Sequence, residues 1–236
     1  MNAINLFCLP FAGGSQYSYS SYVGLAPSHI NVIPIEIPGR GSRLRENLLT
    51  NIHDMVDDVY YQIRGKLEAP YAIYGHSMGS LLGYLLTKKI IANRLNQPVR
   101  LFFTGCVGPS VENRERDRHL MPKEEFITKI SDLGGSPDEI LRDPELMEFF
   151  EPILRADFQA VETYEYEEGS PFDIPIDVVI GIDERATYRE AQEWQKETTG
   201  PVRIRQLPGR HFFIFEYTQE IMNAIVHTLH AKMMIS

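Results

Sequence analysis

The segment Tyr71-Ala72-Ile73-Tyr74-Gly75-His76-Ser77-Met78-Gly79 constrains this chain more than any other. An apolar, β-forming run enters it, and Leu81, Leu82, Leu85 and Leu86 leave it at helical spacing. The order is therefore strand, tight turn, helix. A serine in such a turn sits on a strained elbow with its hydroxyl projecting beyond the strand end, and glycines on either side let strand and helix approach. The N–H of the next residue, Met78, faces the same place. Gly-x-Ser-x-Gly recurs too readily by chance to identify a chemistry, so the decision rests with the residues around it.

Short β-rich runs alternate with helical patterns along the chain. The strand candidates are 4–9, 32–37, 71–74, 99–104, 176–180 and 202–207. Between the second and third, Ile52, Met55, Val56, Val59, Ile63 and Leu67 share one helical face, while Asp54, Asp57 and Asp58 fall elsewhere. The elbow helix spans about 78–95 and a last helix about 219–232. This alternation predicts an α/β fold, a mostly parallel central sheet flanked by helices. With no linker tract and no repeat, the 236 residues are expected to form a single domain, 1–236. The stretch of about 113–166 has helical patterns and no strand, with Gly134-Gly135-Ser136-Pro137 as a break inside it. It is expected to be an inserted helical lid over the C-terminal edge of the sheet, where open α/β sheets bind ligands.

The formal net charge of −9 argues against a general nucleic-acid binder or a protein held on an anionic membrane. Nothing approaches the roughly 20 consecutive apolar residues that span a bilayer. Cys8 and Cys106 lie inside apolar runs and read as buried free thiols of a reducing compartment. With no secretory leader pattern at the start, the expected location is cytoplasmic.

A serine hydroxyl is a poor nucleophile until a base takes its proton, and an acid must hold that base in the right tautomer. In α/β hydrolases the acid and then the histidine follow the serine in sequence. Here Gly181-Ile182-Asp183-Glu184 follows one strand candidate and Pro208-Gly209-Arg210-His211 the next. The oxyanion formed on attack needs two N–H donors. Met78 offers one, and the turn Pro10-Phe11-Ala12-Gly13-Gly14 after the first strand offers the other. His227 and His230 form an i, i+3 pair, but no third ligand accompanies them at a recognisable spacing, so no metal is expected.

These residues together resemble a type II thioesterase of nonribosomal peptide and polyketide biosynthesis, in the α/β-hydrolase superfamily. The resemblance covers nearly the whole chain. It rests on Leu9-Pro10-Phe11-Ala12-Gly13-Gly14-Ser15, Pro38-Gly39-Arg40-Gly41 with Arg43, and Tyr74-Gly75-His76-Ser77-Met78-Gly79. It continues through Leu133-Gly134-Gly135-Ser136-Pro137, Leu154-Arg155-Ala156-Asp157-Phe158 and Pro208-Gly209-Arg210-His211-Phe212-Phe213.

The resemblance implies hydrolysis of acyl groups from the phosphopantetheine arm of acyl or peptidyl carrier proteins, without a cofactor. It implies Ser77 as nucleophile, His211 as base, and an oxyanion hole from Met78 and the Phe11-Ala12 segment. The family usually has aspartate where Glu184 stands; Glu184 is favoured as the acid by register, with Asp183 the alternative. Phe126, Phe149, Phe150 and Phe158, with Tyr17 and Tyr19, are candidate pocket lining. Carrier docking would use a basic cluster, Arg40, Arg43 and Arg45 or Arg114, Arg116 and Arg118, and the protein is expected to be a monomer. Other readings are a carboxylesterase or acyltransferase using the same serine, or a non-catalytic receptor of this fold.

Overall fold

The computed structural model describes residues 3–112, 116–133 and 143–233. Its strands are β1 (Ile4–Leu9), β2 (Ile30–Pro34), β3 (Tyr71–His76), β4 (Arg100–Thr104), β5 (Ile176–Gly181) and β6 (Val202–Leu207). They form one sheet in the order β2-β1-β3-β4-β5-β6, and every pairing among them is parallel. The chain steps from β1 outward to β2 and then back across β1 to β3. Connections therefore leave in opposite directions between β1 and β3, where open sheets form their ligand crevice. Leu9 pairs with Gly75 at that point, so the turn after β1 and the elbow after β3 are neighbours.

Helices cover both faces, as a parallel sheet requires. Phe7 and Leu9 of β1 face a core shared with α2 (Ile52–Ile63) and α3 (Met78–Ala92), while Leu6 and Cys8 face one shared with α1 (Ser20–Leu25) and α8 (Thr218–Met233). Helix α2 buries Ile52, Met55, Val56, Val59 and Ile63, the face its spacing predicted, and Asn51 caps it by accepting from the His53 N–H at 2.8 Å. Gly65 follows its end, and Leu67 is buried beyond it.

One strand differs from expectation. β2 lies at Ile30–Pro34 instead of 32–37, because its partner β1 ends at Leu9 and Pro38 has no N–H to extend a ladder. Ile35 and Ile37 are nevertheless buried in the core, and this produced the strand-like pattern.

Between β4 and β5 the described residues hold α4 (Lys123–Leu133) and α5 (Pro144–Glu162) and no strand. Asp143 caps α5 by accepting from the N–H groups of Glu145 and Leu146, and Pro144 takes the first position, where its missing N–H costs nothing. The two helices share a small cluster of Phe126, Ile130, Met147, Leu154 and Phe158. Ala160, two residues on, already belongs to the core beneath the sheet. The Gly134–Pro137 break lies outside the described residues. α6 (Tyr188–Gln192) follows β5, and α7 (Phe213–Glu216) precedes α8.

Candidate active site

Strain marks the elbow. Ser77 has φ 52° and ψ −117°, a conformation a side chain adopts only when its surroundings impose it. Those surroundings are the packing of α3 onto the sheet. A Cβ on Gly75 would come within 2.2 Å of the Gly79 backbone, and one on Gly79 within 2.4 Å of the Leu9 carbonyl. Ser77 donates its N–H to the Thr104 carbonyl at 2.8 Å, and Ser80 Oγ donates to the Gly75 carbonyl at 2.9 Å. Strand, turn and helix are thus fixed to each other by one backbone bond and one side-chain hydroxyl.

A short turn gives the two carboxylates different partners. Glu184 Oε1 accepts from the Gly181 N–H at 2.6 Å, and its Oε2 lies 2.8 Å from His211 Nδ1. The Glu184 side chain is 3% exposed and that of His211 18%, so the bond is sheltered from water. A carboxylate only accepts, so Nδ1 is the donor in this bond. Asp183 is exposed and does something different. Its Oδ2 accepts from the Gly209 N–H at 3.2 Å and its own N–H donates to the Gly209 carbonyl at 3.0 Å, which fastens the loop carrying His211.

Donors near the elbow can be assigned in turn. Of the N–H groups after β1, Gly13 donates to Asp157, Gly14 to Phe11, Ser15 to Ser18 and Gln16 to Glu36. Pro10 has none. Among the described residues no acceptor is found for the N–H groups of Phe11 and Ala12, both of which line the same cleft as Ser77, and Met78, at the first position of α3, has no carbonyl one turn back to bond.

Ser77, Met78, Phe11, Ala12, Glu184 and His211 all line one cleft of about 1480 Å³. Leu154, Phe150 and Phe158 of α5 wall it, with Tyr17 and Phe215 near it. Four expectations need correction. Phe126 is fully buried behind the wall, edge-on to Phe158 with the Arg155 guanidinium over its ring. Phe149 points away and is exposed, because consecutive helical residues lie about 100° apart and Phe150 takes the cleft side. Tyr19 is buried, its hydroxyl donating to the Leu9 carbonyl at 2.7 Å. Cys106 is half-buried at the cleft; burial and the nearby Glu184 push its thiol up to about 12, so it is no nucleophile near neutral pH.

The basic clusters also resolve differently. Arg40 is buried and bound through both terminal nitrogens to Asp157, so it cannot present charge to a partner. Arg43 is held by Glu46 and Asp58, while Arg45 is exposed. Arg118 is bonded to the buried Glu162, Arg116 lines the cleft, and Arg114 lies outside the described residues. His227 and His230 are exposed on α8, and among the described residues no three His, Cys, Asp or Glu side chains are grouped as for a metal. No helix among those residues is long and apolar enough to cross a membrane.

Two residues escaped the sequence reading. His76 is fully buried beneath the site, its Nδ1 3.0 Å from Thr104 Oγ1 and its ring centroid 4.8 Å from that of His211. Gly105, at φ +59°, makes room for both rings, since a Cβ there would lie 2.4 Å from His76 and 3.2 Å from His211. A glycine directly after a strand that ends beside the elbow was the available signal.

Residues 4–233 match the thioesterase domain family. This chain belongs to it. Gramicidin S biosynthesis protein GrsT of Aneurinibacillus migulanus is 35% identical over 220 residues, 93% of this chain and 86% of that protein. The crystal structure of ClbQ from the colibactin NRPS/PKS pathway superposes with a TM-score of 0.94 at 30% identity, covering 100% of both chains. The type II thioesterase BorB from the borrelidin biosynthetic cluster gives a TM-score of 0.87 at 30% identity, covering 95% of this chain and 92% of that one. This thioesterase therefore has the α/β-hydrolase fold and is a thioester hydrolase.

Proposed function

We propose that this thioesterase is an editing enzyme of nonribosomal peptide or polyketide synthesis. On this reading it removes acyl groups from the phosphopantetheine arm of carrier proteins in the cytoplasm. The kinship with GrsT, ClbQ and BorB supports the pathway. The observation that carries the chemistry is the sheltered Glu184–His211 bond on the cleft that also exposes the Ser77 elbow.

His211 Nε2 takes the Ser77 proton as Oγ attacks the thioester carbonyl. The oxyanion is received by the N–H groups of Met78 and of Phe11 or Ala12. The C–S bond breaks, His211 returns the proton to the leaving thiolate, and an acyl-serine remains. Water, deprotonated by His211, then attacks the ester; the C–Oγ bond breaks, Ser77 regains a proton, and a carboxylic acid leaves. Glu184 holds the tautomer and stabilises the imidazolium throughout. Each proton transfer runs through His211, so these steps ask for no cofactor. Helices α4 and α5 act as a lid within a single domain, and a monomer contains every group named.

The test is release of acid from acetyl and longer acyl groups loaded on a phosphopantetheinylated carrier, with Ser77→Ala alongside. Hydrolysis abolished in the variant supports the reading. An inert wild type whose Ser77 still reacts with a phosphonate would point instead to an esterase or acyltransferase.

A further inference from the structure

Asp157 is a fully buried carboxylate in the middle of α5, more than one hundred residues from everything it binds. Its Oδ1 accepts from Arg40 Nη2 at 2.6 Å, and its Oδ2 accepts from Arg40 Nη1 at 2.5 Å and from the Gly13 N–H at 2.7 Å. Arg40 Nη1 also donates to the Gly14 carbonyl at 3.3 Å. Both partners belong to loops at the C-terminal edge of the sheet, and one is the turn that holds the candidate oxyanion donors.

The bond to Gly13 acts on that turn in a specific way. Gly14 donates to the Phe11 carbonyl at 2.8 Å and Gly13 has φ +77°, a four-residue turn of type II character. Types I and II differ by a flip of the central peptide, here the one joining Ala12 and Gly13. An acceptor on the Gly13 N–H holds that peptide in one orientation and so anchors the turn, whose two preceding peptides carry the Phe11 and Ala12 N–H groups. Leu154, one turn before Asp157, occupies the space above Gly13, where a Cβ would lie 2.5 Å from its Cδ2, and Ala12 packs against the α4–α5 cluster. Leu154, Asp157 and Phe158 share one helical face, so the surface that walls the cleft also grips the turn.

We infer that Asp157 is a positioning residue for the oxyanion donors, tying the Phe11–Gly14 turn to the helix that contacts the acyl chain. The inference rests on the catalytic reading above. An acyl group that leaves α5 seated keeps the Phe11 and Ala12 N–H groups aimed. One that displaces α5 shifts the turn with it and is turned over slowly even when it binds.

Two double variants test this on one acyl-pantetheine thioester. Arg40→Met/Asp157→Leu removes ion pair and acceptor together, whereas Arg40→Met/Asp157→Asn removes the ion pair but keeps a side-chain oxygen for Gly13. Neither leaves a lone buried charge, which is the costly way to break such a pair. The Leu variant should lose at least about 30-fold in kcat with KM within about threefold, and the Asn variant should regain at least about tenfold of that at matched Tm. Equal losses in the two, or a loss carried in KM, would overturn the inference. Should a variant fail to fold, wild-type hydrogen exchange decides. A Gly13 amide protected together with the α5 amides supports the tie, and one that exchanges freely while α5 stays protected removes it. Ser77→Ala in the same assay separates the two readings: full activity there defeats the catalytic assignment, while an inactive Ser77→Ala beside indistinguishable double variants defeats only the tie.

Discussion

The C-terminal edge of the sheet and the helical segment above it hold their functional groups by different means. At the edge, Ser77, Met78, Glu184 and His211 stand within four residues of a strand's end; bonds to the backbone and glycine contacts fix the elbow and Glu184, and Glu184 in turn holds His211. Above it, Phe150, Leu154 and Phe158 depend on side-chain packing in a small cluster and on the ion pairs that the buried Asp157 and Glu162 make with Arg40 and Arg118. Chemistry set by backbone geometry tolerates little change. A wall set by side chains can be reshaped without rebuilding the chemistry, so acyl preference can vary while the reaction stays the same.

Substitutions at the edge should cause the largest losses. Gly75→Ala would force the α3 backbone off the sheet, and we expect no native fold at 25 °C, a cost above about 4 kcal/mol; a cooperative unfolding transition near that of wild type would contradict this. Glu184→Gln leaves the shape but removes the charge that orients His211, and should lower kcat by about 10³- to 10⁴-fold, against less than about threefold for Asp183→Asn. Equal effects from the two would return the acid assignment to an open question.

Smaller effects should follow beneath and above the site. Burial, and then the adjoining His211, hold the His76 imidazole well below its ordinary value of 6.5. The unfolded chain therefore binds this proton first as pH falls, so stability is lost below about pH 6.5, by up to about 1.4 kcal/mol per unit. Urea midpoints between pH 7.5 and 5.5 should fall more steeply for wild type than for His76→Gln, and parallel slopes would be evidence against it. Last, Phe150→Ala should shift chain-length preference by a few-fold, about 1 kcal/mol for the lost contacts, while Phe149→Ala changes little. A comparable shift from both would mean the cleft extends around α5.

The sequence was most legible where one element dictates the next. The β3–α3 elbow was readable because an apolar run, a glycine pair and a leucine face stand in immediate succession. That a carboxylate and a histidine would meet past neighbouring strands was readable because both follow strands, and Glu184 and His211 do meet there. Asp183 and Glu184 could not be separated by pattern, since two adjacent carboxylates past a strand look alike until the Gly181 N–H captures one of them. Arg40 resembled a surface cation because its partner lies 117 residues away. Phe149 and Phe150 differ only in helical phase, and nothing in their neighbours' spacing fixes which one meets the cleft.

The sheet order has a consequence for the birth of the enzyme. Ser77 and the strands that flank its elbow, β1, β3 and β4, are translated well before β5 and β6, the outermost pair on that side, which deliver Glu184 and His211. Chains fold from the amino end as they emerge from the ribosome. On the proposed mechanism, a nascent chain therefore displays an ordinary, unactivated alcohol until the last two strands dock. Completing the sheet and arming the serine are then a single event.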